Sequence, residues 1–119
     1  MGTYYKELIV WQKSLLLVKH IYLVTKDFPR SELYGLTSQM RRAAVSIPSN
    51  IAEGQTRKSH AEFSHFLEIA HGSLAELETQ MIISKMLGYV EQKRFDDYDA
   101  MHTEISKMIT ALKTAISKN

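Results

Sequence analysis

The chain has 119 residues, which suits one domain spanning 1–119, and its 45% hydrophobic and 24% charged content is that of an ordinary globular protein. With no cysteine it has no disulfide, thiolate metal site or cysteine nucleophile, and its composition fits a reducing, cytoplasmic setting. Net charge is only +2, yet residues 1–58 carry nine Lys/Arg against four Asp/Glu while 59–119 carry six against nine, so a basic surface can exist on a nearly neutral protein.

Four helical segments account for nearly the whole chain. In the first, Leu8, Trp11, Leu15, Val18 and Tyr22 follow the 3-4-3-4 spacing of one helix face. A second apolar stripe, Val10, Leu17, Ile21, Val24 and Phe28, lies about 100° round. So wide an apolar arc predicts contact with more than one neighbour. Pro29 and the stretch Arg30 to Gly35 end this helix. The second helix places Leu36, Met40, Ala43, Ile47, Ile51 and Gly54 inward, with Thr37 or Ser38 as its cap. Pro48 lies inside it and predicts a kink, with Ser46, Ser49 or Asn50 pairing the freed carbonyl of Ala44.

The third helix carries an unbroken heptad seam, Phe63, Leu67, Ala70, Leu74, Leu77, Met81 and Ser84. Ser59 and Glu62 form a capping box at its start, and Gly88 is placed to end it in a left-handed conformation. The fourth runs from about Phe95, with Tyr98, His102, Ile105, Ile109, Leu112 and Ile116 on one face. Joined by short loops, these segments predict an all-α, antiparallel up-down-up-down four-helix bundle. The longest stretch without a charged residue, Ala43 to Ala52, falls well short of the ~20 residues of a membrane span. The Leu15 to Val18 run lies inside an amphipathic pattern, so neither a signal peptide nor a membrane partner is expected.

Chemistry-bearing patterns are sparse. Glu-x-x-His occurs as Glu62–His65 and Glu68–His71, but a di-iron bundle needs such pairs on different helices, all facing inward. Both pairs here share one helix and read as outer-face residues. No nucleophile elbow or phosphate loop is present, so the chain reads as non-enzymatic, with no cofactor, metal or catalytic residue. The basic cluster carries more: Arg41 and Arg42 lie in helix two, about 100° apart, so one projects outward while the other flanks the apolar face. Arg57 and Lys58 occupy the turn before helix three, where helix amides add positive potential. These four residues suit phosphate oxygens of RNA or DNA; the alternative is pairing with Glu53 or an acidic residue of helix three. Trp11, Phe63 and Phe95 read as core, whereas Tyr4, Tyr5, Tyr34 and Tyr89 near helix ends suit a subunit interface. The two stripes of helix one exceed what one core needs and predict a homo-oligomer, unless Phe28 and Tyr34 fold over the second stripe.

Three segments, Trp11-Gln12-Lys13, Tyr34 to Gln39 and Arg41 to Gly54, followed by Gly72 to Gln80, stand in an order that resembles the 23S rRNA intervening-sequence protein family. The resemblance covers most of the chain. It implies a small bacterial antiparallel bundle that assembles as a ring, typically a homopentamer. It also implies an accessory or scaffold role: some relatives are encoded within rRNA-gene insertions. A similar protein partners a reverse transcriptase and carries a basic surface for nucleic acid. By that resemblance Arg41, Arg42, Arg57 and Lys58 are the nucleic-acid-binding positions. His60 departs from the pattern, since relatives often carry a further basic residue there.

Overall fold

The structure, a computed structural model, describes residues 4–118, so the outermost ends of the expected 1–119 domain lie outside the described residues. Four helices account for most of it: α1 (Ile9–Thr25), α2 (Leu36–Gln55), α3 (His60–Met86) and α4 (Gln92–Ser117). Each packs against its neighbours in the chain, and α4 returns to pack on α1. Contacting pairs run in opposite senses. Ser46 meets Ser73 while Met40 meets Ser84 across α2 and α3, and Lys113 meets Glu68 while His102 meets Glu78 across α3 and α4. These contacts support the expected up-down-up-down order. α3, with 27 residues, is about 40 Å long by helix rise and spans most of the molecule's 46 Å length.

Every helix contributes to one core. Its fully buried side chains include Leu17 and Ile21, Met40, Ile47 and Ile51, Leu67, Leu74 and Leu77, then Tyr98, Ile105 and Ile109. Burial of each such aliphatic side chain stabilises by about 1.5–3 kcal/mol. In α1 the core stripe is Val10, Leu17, Ile21 and Val24, continued by Phe28 in the loop, with Ser14 filling the gap. The Ser14 hydroxyl reaches that position by donating to the Trp11 carbonyl at 2.7 Å. The other stripe is divided: Leu8, Trp11 and Val18 pack partly buried against the core, while Leu15 is 41% and Tyr22 44% exposed. Phe28 is buried against the Tyr89 ring, and Tyr34 is 92% exposed, so neither folds over a surplus stripe.

Helix ends differ in part from the sequence pattern. α2 begins at Leu36 with Gly35 as its cap residue, so neither Thr37 nor Ser38 caps it. Glu32 substitutes: its Oε1 accepts from the Leu36 N–H at 3.2 Å, and its Oε2 accepts from the Tyr89 hydroxyl at 3.1 Å. α2 runs unbroken through Pro48. Asn50 donates to the Ser46 carbonyl and hydroxyl rather than to the carbonyl Pro48 frees. Ser59 does cap α3, accepting from the Glu62 N–H at 3.1 Å, and Gly88 follows α3 at φ +83°. α4 starts at Gln92, three residues ahead of the first apolar position, Phe95.

Candidate nucleic-acid interface

Arg41 and Arg42 stand in the second turn of α2 and face different surroundings. Arg41 is half-buried against α1. Its Nε donates to the Thr25 hydroxyl at 2.9 Å, and its guanidinium lies 4.5 Å over the Tyr22 ring. Thr25 is held in turn by donating to the Ile21 carbonyl at 2.7 Å. The fork is therefore fixed through Nε and one face, while its terminal amino groups make no hydrogen bond among the described residues. Arg42 is exposed and has no ion pair among the described residues.

Both arginines line a groove of about 560 Å3 at the amino end of α2. Tyr22, Leu33, Tyr34 and Val45 form its apolar walls, and Thr37 and Ser38 supply hydroxyls. Among the described residues it is lined by no carboxylate. Thr37 is 4% exposed, and its hydroxyl has no partner among the described residues. A second, polar groove on the other side of Arg42 includes Glu76, whereas a groove along α1 lined by Lys19, His20 and Lys26 also has no carboxylate among the described residues.

Arg57 and Lys58 lie at the far end of α2, roughly 20 Å from Arg42 by helix rise. The four predicted positions therefore form two separate basic clusters rather than one. Arg57 pairs with Glu53 and lies 4.8 Å over the Phe66 ring, so the internal pairing alternative holds for this residue. Both partners of that pair are about half exposed, and such pairs contribute roughly 0.3–0.5 kcal/mol, little enough for a phosphate to replace the carboxylate. Lys58 is exposed with no ion pair among the described residues.

Glu62, His65 and Glu68 are exposed, as their outer-face reading expects, and His71 alone departs from it. His71 turns toward α4, its Nε2 3.0 Å from the Ser106 hydroxyl, and Glu68 pairs with Lys113 of the same helix. Burial, then the charge of Lys113, hold the His71 pKa below its ordinary value. His102 lies between the Tyr98 hydroxyl, 3.1 Å from its Nδ1, and the Glu78 carboxylate, 3.6 Å from its Nε2. Among the described residues no group of three His, Asp or Glu side chains is placed to hold a metal ion.

Sequence reasoning missed Tyr22, Thr37 and Ser38 as parts of a site, and placed Tyr34 only at an interface. Tyr22 continues the 3-4 apolar spacing and so reads as core. An aromatic beside Gly35 in an aperiodic loop is the one signal that marked Tyr34 as exposed.

Four helices around an apolar core, with a cation-lined groove at one corner, define a small helical-bundle protein. No described helix is long and apolar enough to cross a membrane. The chain belongs to the 23S rRNA-intervening sequence protein family, whose model matches residues 6–111. It is similar to a solved protein of unknown function from the S23 ribosomal protein family of Bacteroides thetaiotaomicron VPI-5482. That likeness is 24% in identity, covers 88% of this chain and 98% of that chain, has a TM-score of 0.82, and shows a shared fold. No curated protein matches the chain.

Proposed function

We propose that this protein is a non-enzymatic accessory or scaffold that self-associates and binds RNA or DNA through the phosphate backbone. Arg42 and Lys58 are its leading contacts, with Arg41 and Arg57 beside them. The observation carrying this reading is the groove at the amino end of α2, which holds two guanidiniums and no carboxylate among the described residues. Arginines with no carboxylate partner among the described residues suit the bidentate geometry of phosphate oxygens. Membership of a family described by 23S rRNA intervening sequences puts RNA first among the ligands to test. Self-association is supported by the outward apolar face of α1, where Ile9, Leu15, Leu16, Tyr22 and Leu23 are each 41–58% exposed.

The test is binding of a structured RNA and a matched duplex DNA across a salt series, with light scattering to give the oligomeric state. Each neutralised phosphate contributes about −0.9 to the slope of log K against log salt for duplex DNA. Arg42→Glu and Lys58→Glu are expected to weaken binding and flatten that slope while the oligomer persists. Unchanged slopes in both variants would defeat the proposal.

A second reading is a protein-interaction scaffold, for example for a polymerase or reverse transcriptase, without nucleic-acid contact. It is favoured by the engagement of Arg41 with Thr25 and of Arg57 with Glu53, and by an apolar groove between α1 and α2 that meets the cationic one at Val45. It predicts no polyanion binding even at low salt.

A further inference from the structure

We infer that the groove at the amino end of α2 holds an unpaired nucleotide of a single-stranded RNA or DNA, its phosphate on Arg41 and Arg42 and its base on the ring of Tyr34. The inference rests on the nucleic-acid reading above and sharpens it from a charged surface to a site with two chemically distinct halves.

The phosphate half is pre-organised. Arg41 has its Nε on Thr25 and one face on the Tyr22 ring, so ordering its fork on a ligand costs little further entropy. Arg42 adds an exposed second fork with no ion pair to break among the described residues. The hydroxyl of Thr37 has no partner among the described residues and lines the same groove. Of the first-turn amides of α2, that of Leu36 is taken by Glu32 Oε1, and those of Thr37 and Ser38 beside the groove favour an anion.

The base half is Tyr34. Its ring is 92% exposed and stacks on no other ring among the described residues, an unusual state for so large an aromatic surface. A groove of about 560 Å3 falls within the size range of small-molecule sites and has room for one nucleotide. In a duplex the base faces are already stacked on each other, so a tyrosine beside paired arginines can gain only from an unpaired base. Stacking of this kind is tolerant of sequence, because every base has a π-face.

The test uses fluorescence anisotropy with a labelled oligonucleotide of about ten nucleotides, a length within the site sizes of single-strand binders. The same sequence as a blunt duplex and free AMP as competitor complete the set, with the full chain as wild type, Tyr34→Ala, Tyr34→Phe and Arg42→Glu. The single strand is expected to bind more tightly than the duplex. Tyr34→Ala should weaken single-strand binding roughly 5- to 100-fold, Tyr34→Phe should retain it, and Arg42→Glu should weaken both polymers. Because the Tyr34 ring lies in solvent, the helix content of its variants should match the wild type by circular dichroism. If Tyr34→Ala binds like wild type while Arg42→Glu does not, the base site is wrong and the charge-based function stands. Equal affinity for strand and duplex would also overturn the base site. Competition by AMP at the nucleotide concentration of the strand would assign the groove to a free nucleotide instead. Loss of all polymer binding at low salt would remove both the inference and the function it rests on.

Discussion

Replacing Gly54 by alanine probes how closely α2 and α3 approach. A Cβ at that position would lie 2.7 Å from the Phe66 Cβ, 3.0 Å from the Phe63 Cδ1 and 3.3 Å from the Phe63 carbonyl oxygen. Carbon atoms pack at about 3.5–4.0 Å, so the Phe66 contact alone demands roughly 1 Å of extra separation. The Phe63 ring can turn aside. The Phe66 Cβ and the Phe63 carbonyl move only with the α3 backbone, so the two helices must part. Overpacking of this kind costs about 1–3 kcal/mol. Alanine's helix propensity returns at most about 1 kcal/mol, and less here because Gly54 is the second-last residue of α2. Gly72 supplies the control: it lies within α3, and a Cβ there meets nothing within 4 Å. Gly72→Ala should therefore stabilise by about 0.5–1 kcal/mol, and Gly54→Ala destabilise by about 1–2 kcal/mol. Urea unfolding followed by far-UV circular dichroism measures both. A Gly54→Ala protein as stable as Gly72→Ala would refute the close approach.

Three further predictions concern polar groups. Tyr98 is fully buried and its hydroxyl meets His102 Nδ1 at 3.1 Å, so Tyr98→Phe should lower unfolding stability by about 1–2 kcal/mol in the same urea assay. The His71 pKa is lowered in the folded state, chiefly by burial, so the unfolded chain takes up a proton first on acidification. Its contribution to stability is complete above the ordinary histidine pKa and declines as pH falls from there toward the lower folded value. Urea midpoints between neutral and mildly acid pH should show this fall, and His71→Gln should flatten it. Thr25→Val preserves shape and charge while removing the anchor of the Arg41 Nε. RNA titrations should show weaker binding with an unaltered salt slope, because no phosphate contact is lost; a changed slope would contradict the anchoring role.

The seam of α3 was legible because seven successive core positions are apolar or small, and each of Leu67, Ala70, Leu74, Leu77, Met81 and Ser84 is buried. α1 was harder. Its two stripes are equally apolar, and the true core stripe is interrupted by Ser14, which satisfies itself on a backbone carbonyl and so passes into the core. Spacing alone cannot rank two such stripes; packing against α2 and α4 does. The start of α2 was misplaced because its first amide is served by Glu32, a long side chain acting from the preceding turn rather than from a cap position. Arg41 and Arg42 were legible as a charged pair. Their difference was not, since it depends on Thr25 and Tyr22, sixteen or more residues earlier on a different helix. The distance between Arg42 and Lys58 follows from helix rise, yet charge counting treats them as one cluster.

α2 and α3 are joined by a turn of four residues, share the molecule's most extensive contact and approach closely at Gly54. A hairpin of that kind closes a short loop for a large burial, so it is the segment to gain order early and to lose amide protection last. The groove at the amino end of α2 straddles its boundary. Arg42, Thr37 and Ser38 ride on the hairpin, whereas Tyr22 belongs to α1, which docks onto it. The Arg42 side of the groove thus rides on the segment expected to exchange slowest. The opposing wall is completed only when α1 is seated, and hydrogen exchange along α1 would time how often the groove stands open.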